Sequence, residues 1–222
     1  MKRVLSFVLR ASLLASLGGA VGGSLEAREG GVFLGVGGFF SFEGRARWED
    51  TVAVINYKGI GGSGEATIGY EAMFLRWLGL RSYVGIGYGT AFFKGIEGTL
   101  ETNQANLLEA TLNLDLLFDF VSKDSVSLGL FVGALGGLHY WHGPLIRALA
   151  ENAGIKDLFG AVGLNAGLSL GLGGHHSIDV LTRLSFLDDG VSIKGDVGPG
   201  VKLSLPYSVG LRYIYNFGGG SF

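Results

Sequence analysis

Between Ala105 and Phe120 apolar and polar residues alternate almost without interruption. Leu108, Ala110, Leu112, Leu114, Leu116, Phe118 and Phe120 fall on one face, while Leu107, Glu109, Thr111, Asn113, Asp115, Leu117 and Asp119 fall on the other. A repeat of two is the signature of a strand with unlike faces. Strands of soluble proteins average about 5–6 residues, less than half of this run. A strand that crosses a bilayer needs about 9–11 plus whatever projects beyond it. Length therefore favours a membrane strand.

The same pattern predicts seven more strands, over residues 31–42, 65–75, 80–93, 125–138, 159–172, 177–187 and 207–217. In each, one face is aliphatic or aromatic, as in Val162, Leu164, Ala166, Leu168 and Leu170, and the other is small or polar, as in Gly163, Asn165, Gly167, Ser169 and Gly171. Glycine normally weakens a strand interior. Most glycines here fall on the polar face, where a narrow closed barrel has little room for side chains, and this accounts for much of a total of 41.

Connection lengths give the topology. The second and third, fourth and fifth, and sixth and seventh strands are joined by short segments, at residues 76–79, 121–124 and 173–176; the segments 43–64, 94–104, 139–158 and 188–206 are longer. Short and long links alternate, as in outer-membrane barrels with short periplasmic turns and long external loops. An even strand count lets the sheet close, which matters because an open edge is not viable in hydrocarbon. Aromatic residues fall near both ends of the strands, where membrane interfaces place them: Phe74, Trp77, Phe120, Tyr213 and Tyr215 at one, Phe40, Phe42, Tyr88, Phe92 and Tyr207 at the other. The expected fold is an all-β, closed, eight-stranded antiparallel up-and-down transmembrane barrel.

Composition narrows the reading further. Residues 1–27 open with Lys2, Arg3 and Arg10, continue through the apolar run Ala11–Leu17 and end in small residues. That order describes a cleavable signal peptide, with cleavage expected after Ala27 (Ala20 is the alternative) and the barrel over 28–222. The apolar run is shorter than the ~20 residues a spanning helix requires. There is no cysteine, and the formal net charge is −2. Disulfides and thiolate chemistry are thereby excluded, and there is no basic footprint for nucleic acid. Gly35-Val-Gly-Gly resembles the start of a dinucleotide fingerprint, but no helical pattern follows it.

The final strand, Ser208-Val-Gly210-Leu-Arg-Tyr213-Ile-Tyr215 with Phe217, resembles a barrel-assembly signal in its polar-x-Gly-x-x-aromatic-x-aromatic order. That resemblance implies pairing with the insertion machinery by strand addition. Such signals usually end the chain, whereas Phe217 is followed by Gly-Gly-Gly-Ser-Phe222. More broadly, Gly31-Val-Phe-Leu-Gly-Val-Gly, Thr111-Leu-Asn-Leu-Asp-Leu-Leu-Phe-Asp-Phe, Gly129-Leu-Phe-Val-Gly-Ala-Leu-Gly-Gly, His176-Ser-Ile-Asp-Val-Leu and Tyr213-Ile-Tyr-Asn-Phe resemble the Helicobacter-type outer membrane protein family. The resemblance implies a surface barrel, acting as an adhesin or as a porin. Adhesive members tend to carry a large external domain, and no insertion of that kind lies between these strands.

Candidate chemistry concentrates on the inward face. Glu71, Glu109, Asp115, Asp119 and Asp179 stand there with Arg81, Arg183 and Arg212. An eight-stranded barrel is just wide enough for side chains to fill, and isolated charges inside it are costly. A paired structural network is expected; the alternative is a narrow, mildly cation-preferring pore, since acids outnumber bases. His175-His176-Ser177 has the His-x-Ser spacing of lipid A deacylase barrels, but the topology puts it in a periplasmic turn with no assigned carboxylate. His139 and His142 form an H-x-x-H without suitably spaced carboxylates, a weak metal signal. Residues 144–154 read as a short helix with Pro near its start and Gly at its end. External-loop contacts are expected from Arg45, Arg47 and Trp48 in the first long link and from Tyr140 and Trp141 in the third, the last two as markers of the membrane surface. The reading is non-enzymatic and without cofactor or metal. The partners it implies are outer-membrane lipid and lipopolysaccharide, the assembly machinery, and a host-surface ligand; the barrel is expected to be monomeric.

Overall fold

The computed structural model describes residues 30–49, 54–75, 77–94, 103–123, 126–147, 158–186, 191–192 and 201–218. The signal peptide read over 1–27 lies outside them, as does most of the tail after Phe217. The strands are β1 (Gly31–Glu49), β2 (Val54–Leu75), β3 (Leu78–Lys94), β4 (Gln104–Lys123), β5 (Val126–His142), β6 (Leu158–Leu172), β7 (His176–Ser185), β8 (Val191–Ser192), β9 (Val201–Ser204) and β10 (Tyr207–Asn216). Each of β1 to β6 pairs antiparallel with the next, β7 pairs with β10, and β10 returns to β1 from Phe33↔Asn216 to Phe42↔Tyr207, closing an eight-stranded barrel.

Alternation sets every wall. Along β3, Arg81, Tyr83 and Phe93 are buried inside while Val84, Ile86 and Tyr88 are exposed outside. Exposure reaches 62 % at Ile86 and 61 % at Leu211, strands apart on the outer surface. A soluble monomer does not leave an apolar belt of this extent in water; acyl chains cover it. No helix among the described residues is long and apolar enough to span a membrane, so the strands do the crossing.

The β2–β3, β4–β5 and β6–β7 hairpins close at one end. The last turns through Gly173 and Gly174, whose φ values of 64° and 75° are left-handed, a region that costs glycine nothing. At the other end the walls run on. Residues 43–64 are not the loop that the sequence pattern suggests: β1 and β2 remain paired to Glu49↔Val54. The ladder shifts register between Ser41 and Gly44, with Glu43 at φ 55°. That bulge reverses the parity of the strand, and the aliphatic face stops above the belt, so a period-two reading loses the strand there. The long link 188–206 likewise contains β8, paired with β6, and β9, paired with β1 at Arg45–Trp48.

Candidate functional site in the barrel lumen

The interior is filled in tiers. In the half nearest the short turns, Arg81, Asp115, Asp179 and Arg212 meet from β3, β4, β7 and β10. Arg81 Nη2 lies 3.0 Å from both Asp115 Oδ2 and Asp179 Oδ2, and Arg212 Nη2 lies 2.8 Å from Asp179 Oδ2 and 3.7 Å from Asp115 Oδ2. Each side chain of this tetrad is completely buried. Two cations face two anions, so the tier is neutral overall. Aromatic rings seal its flanks: the Arg81 guanidinium sits 4.7 Å from the centre of Phe131 and that of Arg212 4.6 Å from Tyr83, distances at which cation and ring attract.

Asn165 joins this tier to the next. Its amide donates to Asn113 Oδ1 at 2.9 Å, and its carbonyl accepts from Arg183 Nε at 3.3 Å. Arg183 donates through Nη2 to Glu65 Oε2 at 3.0 Å, lies 3.7 Å from Glu109 Oε1 and rests 4.6 Å over Phe39. His139 Nε2 is 3.7 Å from Glu109 Oε2. Beside them is a cavity of about 30 Å³ lined by Glu109, His139, Arg183, Ser41 and Ser208 among others, room for about two waters.

The mouth above is apolar. Phe93, Leu107, Trp141 and Phe159 pack with Leu145 and Ile146, which belong to a helical turn over 144–147 that folds back from the end of β5. The remainder of the helix read over 144–154 lies outside the described residues.

Of the inward residues named from the sequence, Arg81, Asp115, Asp179 and Arg212 form the lower tier, and Glu109 and Arg183 the upper one. Glu71 and Asp119 are buried as well, near the short-turn ends of β2 and β4. Glu65 was missed because the second strand was begun at that residue; its parity with Thr67 and Glu71 marks it as inward. Tyr83, Phe39 and Phe131 were missed because an apolar residue on the inward face gives no polar signal.

The external-loop candidates all lie on strands. Arg45, Arg47 and Trp48 are strand residues of β1, paired with β2 and β9. Tyr140 is on the outer face of β5, 40 % exposed, but Trp141 is 2 % exposed and belongs to the apolar mouth. Consecutive strand residues face opposite ways, so only one of the pair can mark the membrane surface. At the opposite end His175 Nδ1 lies 3.0 Å from the Asn216 carbonyl oxygen, and His176 Nδ1 is 2.7 Å from the Tyr213 hydroxyl. His175 and His176 are exposed whereas Ser177 is buried in the lumen, so the triplet straddles the wall. Among the described residues no group of three His, Cys, Asp or Glu is placed to hold a metal.

A closed antiparallel barrel with a lipid-facing belt and a polar, side-chain-lined interior defines the class: an outer-membrane β-barrel protein of Gram-negative bacteria. The family model described as Helicobacter outer membrane protein matches residues 65–217, and the chain belongs to that family. Similar solved structures are small outer-membrane barrels. OprG from Pseudomonas aeruginosa is 13 % identical, with 88 % of this chain and 100 % of that one covered at a TM-score of 0.55. Neisserial surface protein A is 13 % identical over 84 % and 97 % at 0.41. Ail, the attachment invasion locus protein of Yersinia pestis, is 17 % identical over 84 % and 99 % at 0.37. No curated protein matches.

Proposed function

We propose that this protein is a non-conducting, non-enzymatic barrel of the cell surface, serving surface interaction or envelope integrity through the parts it presents outside. The observation that carries this reading is the buried Arg81–Asp115–Asp179–Arg212 tetrad, which ties four strands together across the lumen. The apolar mouth around Trp141 and Leu145 supports it as a second barrier. An ion would have to displace paired charges and then cross a greasy layer in which it has no partner. The narrow cation-preferring pore is the competing function, and the two differ in one measurement. Purified barrel in planar bilayers is expected to give no steady current steps in 1 M KCl; reproducible unitary conductance that scales with protein added would overturn the reading. On the same reading β10 is the strand offered to the assembly machinery: Tyr213, Tyr215 and Phe217 are exposed on its outer face, while Ser208 faces the lumen. Gly210 abuts the ring of Phe39.

A further inference from the structure

The two charged tiers of the lumen are built alike but balanced differently. In the lower one, two guanidinium groups face two carboxylates. The upper one holds two carboxylates, Glu65 and Glu109, and a single guanidinium, Arg183, all of them buried. Arg183 is committed to Glu65, with Nη2 3.0 Å from Oε2, and stands farther from Glu109, with Nη1 3.7 Å from Oε1. Glu109 Oε1 has no hydrogen-bond partner. The cross-strand neighbour of Glu109 on β5 is His139, whose Nε2 lies 3.7 Å from the other carboxylate oxygen, Oε2. Ser41 of β1, Thr90 of β3 and Ser208 of β10 face the same cavity, and Phe159 of β6 flanks His139 on its other side. Tyr83 of β3, its hydroxyl 3.3 Å from Asn165 Nδ2, is the titratable group at the boundary with the lower tier. Among the described residues the cavity wall carries no charged or ionisable side chain besides Glu109, Arg183 and His139.

With the histidine neutral and both acids ionised, this layer holds one negative charge in excess. A buried charge without its counter-charge is strongly destabilising. A single added proton removes the excess, and the layer then matches the neutral tetrad below it. Two groups are in reach of that proton, the His139 imidazole and the Glu109 carboxyl, and groups so close titrate as a unit. Their separation exceeds a direct hydrogen bond, but the cavity beside them has room for a water that bridges it. We propose that Glu109 and His139 form a proton-binding site that neutralises the layer beneath the mouth, so that the closed barrel is more stable with the proton than without it. Leu107 and Trp141 stand two positions further along the inward faces of β4 and β5 and belong to the apolar mouth. With the proton bound they pack above a neutral layer; with it gone they pack above an uncompensated charge. The site is independent of whether the lumen conducts.

The test is urea unfolding of the full barrel in phosphatidylcholine vesicles, followed by tryptophan fluorescence from about pH 7 to about pH 9. Free histidine loses its proton at about pH 6.5 and free glutamate at about pH 4.3, so over this range the unfolded chain holds no proton at either position and unfolding releases the one bound. The unfolding equilibrium constant of the unaltered protein is therefore expected to rise with pH, by up to about tenfold per unit while the site is occupied. Glu109→Gln and Glu65→Gln each leave one carboxylate for Arg183, so neither variant needs the proton, and in both the rise is expected to vanish. Arg147→Gln, which alters an exposed cation outside the tier, keeps it. Heat-modifiable gel mobility shows which variants are folded, and either acid variant suffices alone. An unfolding constant of the unaltered protein that does not change over this range overturns the proposal without reference to any variant. So does an undiminished rise in a folded Glu109→Gln or Glu65→Gln barrel.

Discussion

Arg212→Met lowers the free energy of unfolding by about 3–5 kcal/mol, the usual consequence of leaving a buried charge without its partner. In the native lumen Asp179 accepts from Arg212 at 2.8 Å and also faces Arg81 at 3.0 Å, while Asp115 faces Arg81 at 3.0 Å. Removing one cation leaves a single guanidinium between two fully buried carboxylates. Methionine fills a similar volume, so the loss reports the missing charge, including its attraction to the Tyr83 ring, rather than a cavity. The companion Asp179→Asn/Arg212→Met restores neutrality, because Arg81 and Asp115 remain paired. It is expected to regain at least about 2 kcal/mol of the loss, since neutral replacement of a buried ion pair is often tolerated. Urea titration of the barrel in phospholipid vesicles, followed by tryptophan fluorescence, measures both. If the double variant is no more stable than Arg212→Met, the tetrad does not act as a charge-balanced unit.

How much of this arrangement could be read from the chain depends on which geometric variable is involved. Parity needs only the strand repeat, so the inward face of β4, from Leu107 through Asp119, follows from the sequence residue by residue. Parity fails where the backbone inserts a residue. The bulge at Glu43 hides Arg45 and Lys58 inside what reads as a charged, glycine-rich loop, and with them the whole outer extension of β1 and β2. Height along the barrel is a different matter. Arg183 and Glu65 lie 118 positions apart in sequence yet meet at 3.0 Å, because the stagger between strands adds up around the barrel. No local pattern encodes that sum, so the eight inward charges named from the sequence could not be sorted into tiers. The apolar mouth was invisible for a related reason: Trp141 and Leu145 look like membrane or loop residues until the end of β5 is seen to turn inward.

The same distinction between faces makes two glycines three residues apart behave oppositely. Gly133 of β5 is set against Asp115 of β4 in register, and a Cβ added there would run into the Asp115 carboxylate, the Leu114 carbonyl oxygen and, at 2.8 Å, the Asp115 Cα. Two of those atoms are backbone of the neighbouring strand and have no means of retreat in a closed barrel. The third belongs to the carboxylate that holds Arg81. Gly133→Val therefore costs more than the ~1–3 kcal/mol of ordinary overpacking, because it displaces a strand and uncouples the charge tier together. The expected outcome is a chain that refolds into detergent or vesicles with less than a tenth of the wild-type yield of heat-modifiable barrel. Gly136 has nothing within 4 Å of the corresponding position. It belongs to the lipid-facing parity of the strand, between Ala134 and Leu138, where valine adds apolar surface and a better strand former. Gly136→Val is expected to fold at wild-type yield and to gain up to about 1 kcal/mol, the span of strand propensity. Failure of both variants alike would mean that β5 tolerates no side chain on either face, and the assignment of its inward and outward surfaces would then be wrong.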